Sequence, residues 1–206
     1  MKKLKFGLQP EKIVSAFLLL LISTVSFGKV NVATLNDVFK ELQQNPSSAS
    51  IQKKYFDAFP TNWMDFYTTY NYDKSKQNLY DQAEKQIKAF GLLNTIAQDT
   101  YVDRLFTLVL GGSYDADAPS YLRSLIVNKV ESDPKAFFSY LTKKTPAKQM
   151  LFWQFFWENS CKDSSLQKRY DNLFKSMKTS FPKETETMRI AFNYFYGEMP
   201  LMDVFE

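Results

Sequence analysis

Apolar residues recur three and four positions apart along most of this chain, the spacing of an amphipathic helix, and no stretch alternates with the period of two that marks a strand. Leu35, Val38, Phe39 and Leu42 share one face of a first helix. Thr34 opens it, with Asp37 three residues on, and Asn45-Pro46 stops it. Ser48 or Ser50 starts a second helix, with Ile51, Tyr55, Phe56 and Phe59 inward until Pro60. Thr61 or Asn62 starts a third, carrying Trp63, Phe66, Tyr67 and Tyr70. Leu79, Ala83, Ile87 and Phe90 follow at spacings of four, four and three, and Gly91 is expected to stop that helix. Thr95 or Asp99 begins a strongly apolar helix through Val102, Leu105, Phe106, Val109 and Leu110, ended by Gly111-Gly112.

The middle of the chain is punctuated by proline. Asp117-Ala118-Pro119, Asp133-Pro134 and Thr145-Pro146 each put a capping oxygen at or just before a proline. The missing proline N–H would be unpaired in a first helical turn anyway. Helices are therefore predicted over 118–131, 134–143 and 146–158. Two more follow, one using Leu166, Tyr170, Leu173, Phe174 and Met177, the other Met188, Phe192 and Phe195 up to Gly197. The tail after Pro200 reads as frayed. Short connections imply antiparallel neighbours, so the predicted fold is all-α, an antiparallel multi-helix bundle. Phe39-x-x-Leu42-x-x-Asn45-Pro46 is echoed by Phe138-x-x-Leu141 with Thr145-Pro146 one residue late. The echo raises the alternative of helical-hairpin repeats stacked as in a solenoid.

The N-terminus departs from this pattern. Lys2, Lys3, Lys5 and Lys12 precede an apolar run from Ile13 to Ile22, and the small residues Ser23, Thr24, Ser26 and Gly28 follow. This is the three-part form of a secretory signal, with cleavage expected after Gly28. Residues 13–28 fall short of the roughly 20 apolar residues that span a bilayer, so a retained anchor is the lesser reading. The expected organisation is a signal peptide over 1–28 and one all-helical domain over 29–206, exported to the periplasm or beyond. No second apolar run suggests a membrane span in the mature chain. Of 26 Lys and Arg and 22 Asp and Glu, four lysines and Glu11 belong to residues 1–28, which leaves a net charge of +1 on the remainder. The basicity of the whole chain thus belongs mostly to its targeting segment, and it offers no reason to expect nucleic acid as partner.

Composition narrows the chemistry. There is no histidine, which removes the commonest general base and the usual zinc ligand. The single cysteine, Cys161, cannot form an internal disulfide, so packing must hold the fold. With 19 Phe, 12 Tyr and only six Gly, that packing is an aromatic helical core.

Four places could carry function. Met150, Leu151, Phe152, Trp153, Phe155, Phe156 and Trp157 make the 146–158 helix apolar on nearly every side. It is then either the central buried helix, which its all-round apolarity favours, or part of a groove that presents Trp153 and Trp157 to a partner. Trp63, Tyr67, Tyr70 and Tyr72 could bind a sugar or peptide, or could cover a helix end. Gly111-Gly112-Ser113-Tyr114-Asp115-Ala116-Asp117 hints at a calcium loop, but it lacks further oxygen ligands and a closing glutamate; Asp117 reads as a helix cap, and no metal is expected. Ser50/Lys53 and Ser165/Lys168 have the Ser-x-x-Lys spacing of some exported acyl-transfer enzymes without the companion motifs, and both serines suit helix starts. Glu184 and Glu186 suit the dipole of a first turn.

Asp133-Pro134-Lys135-Ala136-Phe137-Phe138, followed by the run from Leu151 to Trp157, resembles small exported helical proteins of unknown function from Gram-negative bacteria. The likeness spans residues 120–200 and rests on helix style. Some proteins of this kind act as immunity or accessory proteins on a partner outside the cytoplasm, so the resemblance implies a partner-binding role and transfers no functional residue. The expected function is a non-enzymatic, cofactor-free interaction protein that binds a protein partner outside the cytoplasm. The alternatives are a binder of small ligands, glycans or peptides through an aromatic surface and, more remotely, a Ser/Lys or carboxylate hydrolase.

Overall fold

The computed structural model describes residues 30–72, 78–113, 117–158 and 164–198. The signal segment with Gly28, the residue Cys161 and the tail after Pro200 lie outside them. The described residues form α-helices with one short 3-10 turn, and no strand occurs among them. The helices are α1 (Val32–Gln44), α2 (Ala49–Ala58), α3 (Trp63–Tyr70), α4 (Ala83–Gly91), α5 (Gln98–Leu108), α6 (Ala118–Ser132), α7 (Pro134–Leu141), α8 (Pro146–Trp157), α9 (Ser164–Met177) and α10 (Pro182–Glu198). The 3-10 turn Tyr80–Gln82 leads into α4. None of these helices is long and apolar enough to cross a membrane.

Capping chemistry explains where several of them begin. Asp133 accepts a hydrogen bond from the N–H of Ala136 at 3.0 Å, Thr145 from Lys148 at 3.4 Å and Asn62 from Asp65 at 3.0 Å. Each satisfies an amide that the first turn leaves without a partner. Other boundaries differ from expectation. Helix α1 starts before Thr34, because Asn31 takes the cap and accepts from the Thr34 N–H at 3.0 Å. Helix α5 starts at Gln98, because the N–H and hydroxyl of Thr95 are held by the side-chain oxygen of Gln52 at 3.0 and 2.9 Å. Gly91 does not stop α4 from outside; it lies within the last turn of that helix.

Helix α8 is the hub. Phe152, Trp153, Phe155 and Trp157 have no exposed surface, and Phe156 has almost none. Phe152 stacks on Phe106 of α5 at 5.3 Å, and Trp153 meets Phe138 of α7 at 5.8 Å. Trp157 meets Phe192 of α10 edge-on at 5.0 Å, and Phe155 meets Trp63 of α3 at 5.5 Å. A helix apolar all round must be covered on every side, and four neighbouring helices supply these rings. A second aromatic cluster joins α1, α2, α4 and α5 through Phe39, Tyr55, Phe59, Phe90 and Tyr101, with Phe59 and Phe90 stacked at 4.1 Å. Both clusters belong to one continuous core.

Helices α1 and α2 pack as a hairpin. From α3 onward each helix also packs on the helix two places further along: α3 on α5, α4 on α6, and so on to α8 on α10. The sequence echo does not carry through locally. Phe39, Leu42, Phe138 and Leu141 are all buried, but Pro146 opens α8 whereas Pro46 lies in a loop before a helix capped at Ser48.

Candidate functional site, a tyrosine-lined cleft

Of the six aromatic residues nominated from sequence, three converge. Tyr67, Tyr70 and Tyr72 line one cleft with Phe66, Asn71, Tyr80, Asp117, Ala118 and Pro119, enclosing about 190 Å³. Helix α3 and the two residues after it supply one wall, the 3-10 turn supplies Tyr80, and the start of α6 closes the far side.

Local structure sets each group. Phe66 and Tyr70 point inward from α3 because they are one turn apart, and their rings sit 5.2 Å apart. The Tyr70 hydroxyl donates to Gln86 Oε1 at 2.8 Å, while that of Tyr55 donates to the Gln86 backbone carbonyl at 2.9 Å. Burial pushes the Tyr70 phenol well above its ordinary range, and the neighbouring Tyr55 adds to this, so Tyr70 forms a neutral, fixed floor. Helix α3 ends as the Asn71 carbonyl accepts from Asn78 Nδ2 at 2.5 Å, and the Leu79 N–H donates to the Thr69 carbonyl at 2.8 Å. These bonds bring the 3-10 turn against α3.

The rim differs in character. Tyr72 is 57% exposed and meets Tyr80 at 5.0 Å with their planes 66° apart, so the two rings make an open corner. The Tyr80 hydroxyl donates to Asp117 Oδ2 at 2.6 Å, and this hydrogen bond raises the Tyr80 phenol above its usual value. Asp117 stands at the N-cap position of α6, as expected, and its carbonyl accepts from the Tyr121 N–H at 3.1 Å, but its carboxylate is used elsewhere. Its side chain makes no capping bond to α6, and its backbone takes φ of +61°. Only a minority of non-glycine residues occupy the positive-φ region, mostly Asn and Asp. Among the described residues that line the cleft, Asp117 is the only charged one.

Trp63 stands beside the cleft. Its ring packs on Tyr67 at 6.0 Å, Phe66 at 5.7 Å and Phe155 at 5.5 Å. Gly112 explains how the indole lies so close to the backbone, because a Cβ there would fall 2.6 Å from Trp63 Cε3. The preceding Gly111 supplies φ of +79° for the turn after α5. The glycine pair therefore does more than end a helix, and this packing role was not legible in sequence. Gly112→Ala is expected to lower stability by about 1–3 kcal/mol through overpacking, read as a lower urea midpoint with a shift in tryptophan fluorescence.

Trp153 and Trp157 are fully buried in α8 and present no surface to a partner. The other nominated groups are accounted for locally. Lys53 pairs with Asp57 at 2.5 Å, and Ser50 shares a 3.1 Å contact with Ser48, so Ser50 and Lys53 do not act on each other. Ser165 and Lys168 lie exposed on α9. Glu186 takes two hydrogen bonds from Arg189, at 2.8 and 2.6 Å, which hold its carboxyl below the usual range. Tyr114, Asp115 and Ala116 of the suspected calcium loop are outside the described residues. No cluster of three or more potential metal ligands occurs among the described residues.

A second polar constellation joins α5 to α7. Asp103 Oδ1 accepts from Lys144 Nζ at 2.7 Å and from the Tyr140 hydroxyl at 2.5 Å. Partial burial pushes the Asp103 carboxyl up, but these bonds outweigh it and leave the group below its ordinary value. Lys144 also sits 4.6 Å from the Tyr140 ring centre. The lysine, the phenol and the carboxylate are engaged with one another, as in a clamp between helices. Comparison with protein-family models, curated proteins and solved structures finds no match to this chain.

Proposed function

We propose that this is an exported, non-enzymatic binding protein that engages a partner outside the cytoplasm through the cleft formed by Tyr67, Tyr72, Tyr80 and Asp117. The carrying observation is the convergence of three nominated tyrosines with Tyr80 and Asp117 on one partly open cleft. Aromatic rings with one polar end are the side chains that recognition sites favour, because they offer large contact area at low entropy cost. Export rests on the form of residues 1–28. The stacking of each helix from α3 to α8 on the second one following supports a helical-hairpin repeat scaffold, an architecture that presents extended surfaces to partners.

A photo-crosslinking residue placed at position 72 tests the site. It is expected to capture a specific partner from the envelope fraction, whereas the same residue at Leu92, which is 78% exposed and does not line the cleft, is expected to capture none. Equal capture at both positions would remove the cleft from the reading.

A further inference from the structure

We infer that the exposed face of α9, continued by the start of α10, docks this protein on an anionic phospholipid surface through Lys168, Lys175, Lys178 and Lys183. This docking is separate from the tyrosine cleft and takes from the proposal above only the export of the chain. Charge is divided unevenly along the sequence. Residues 29–117 hold nine Lys and Arg against eleven Asp and Glu, whereas residues 118–198 hold thirteen against eight. The near-neutral balance of residues 29–206 therefore conceals a basic half, an asymmetry that favours charged surfaces as partners.

The fold gathers part of that excess along one line. Lys168, Lys175 and Lys178 are exposed. By helical geometry they fall within about 80° of one another around the α9 axis and extend over about 15 Å along it. Lys183 is exposed in the first turn of α10, just past the turn in which the Phe181 N–H donates to the Met177 carbonyl at 2.9 Å. Asp171 is the one acid in α9, and Gln167 Nε2 donates to it at 3.0 Å. Among the described residues no carboxylate lies within ion-pair distance of these four lysines, whereas Lys40, Lys53, Lys54, Lys88, Lys143 and Lys144 each pair with one. The dipole of α9 accounts for Lys175 and Lys178 at its end, but Lys183 stands at a helix start, where a cation is disfavoured.

Residue type selects the partner. Protein interfaces are enriched in Tyr, Trp and Arg and depleted in lysine. A lysine ammonium is a compact, hydrated point charge on a flexible stem, with no planar fork to fix one geometry. A row of them suits a plane of phosphate headgroups, which attracts each lysine without stereochemical fit. Helix α9 carries no exposed large apolar side chain, so the attachment is electrostatic and reversible rather than an insertion. An exported chain meets the lipids of the envelope rather than nucleic acid, the other phosphate-rich surface.

The test is co-sedimentation with vesicles of phosphatidylglycerol and phosphatidylethanolamine, against vesicles of phosphatidylcholine alone. The exported protein and its variants are compared side by side, so that any contribution of residues 1–28 is the same in all. Binding is expected to the anionic vesicles only, and to be lost as salt rises from about 0.1 M to about 1 M and the screening length falls from about 10 Å to about 3 Å. Lys168→Glu with Lys175→Glu is expected to weaken it about tenfold or more, since each lysine near such a surface contributes about fivefold. Lys40→Glu with Lys88→Glu changes the net charge equally at exposed sites outside the row, and is expected to weaken binding much less. Unchanged far-ultraviolet circular dichroism in both double variants keeps the comparison valid. No binding to anionic vesicles, binding that resists salt, or an equal loss in the two double variants overturns the assignment. Vesicles ignored while polyglutamate or duplex DNA binds through the same lysines overturns the lipid class. Crosslinking at position 72 reads the cleft independently, so the two sites stand or fall separately.

Discussion

Trp153→Ala is expected to lower stability by about 3–5 kcal/mol, the range for removing a large aromatic side chain from a packed core. The ring is completely buried and contacts Phe137, Phe138, Phe152, Phe156 and Trp157. Its neighbours are themselves rigid rings, which collapse poorly into a void. Typical domains have about 5–15 kcal/mol in total, so this one change takes much of the margin. Trp153→Phe should cost less than half as much. It keeps a ring in place, and it removes a buried indole N–H that has no hydrogen-bond partner among the described residues. Urea midpoints for both variants check the pair. A loss under about 1 kcal/mol for the alanine variant would mean that α8 is not the packing centre.

Gln52→Leu is expected to cost about 2–3 kcal/mol although leucine is apolar and similar in size. Gln52 is buried in α2 and its amide is fully used. Nε2 donates to the Pro46 carbonyl at 2.7 Å and to Asn94 Oδ1 at 3.0 Å. Oε1 accepts from the Asn94 N–H at 2.9 Å, the Thr95 N–H at 3.0 Å and the Thr95 hydroxyl at 2.9 Å. Leucine would strand several of these groups, and leaving a buried donor or acceptor unpaired costs more than the bond itself was worth. Gln52→Glu should cost at least as much, since it sets a carboxylate oxygen against two acceptors, the Pro46 carbonyl and Asn94 Oδ1, and buries a charge. Faster amide exchange at Asn94 and Thr95 in Gln52→Leu, with the rest of the core still protected, would show that the loop is released first.

The two substitutions also separate what could be read in advance from what could not. The α8 ring cluster was visible as a helix apolar on every side, and burial is the only stable place for such a face. Gln52 was invisible, because a glutamine on the inward side of Ile51, Tyr55 and Phe56 looks like an exposed polar residue until its five partners are known. Asp117 was legible only in part, for a related reason: it does stand at the start of α6, but its side chain does not cap it. The Asp-x-Pro pattern matches a helix start, but Tyr80 claims the carboxylate from across the cleft. Gly112 was read as punctuation, and its contact with Trp63 depends on α3 crossing the turn after α5. Ser48, one of the two starts offered for the second helix, is where it begins, whereas the first helix begins at Asn31, about one turn before the Thr34 expected.

By itself the sequence determined the all-helical class, the order of the helices and most of their ends. Those features come from forces acting over three or four residues: apolar spacing, proline at first turns and side-chain oxygens on nearby amides. The tertiary structure alone decided which aromatic residues close the core and which remain on a surface. Tyr70 and Tyr72 are two residues apart and chemically alike, yet one is 1% and the other 57% exposed. The difference arises because α3 ends between them, and because residues far along the chain arrive to cover one and leave the other at the cleft. The Tyr80–Asp117 bond spans 37 residues and the Gln52–Asn94 bond spans 42, separations over which no local pattern in the chain carries information.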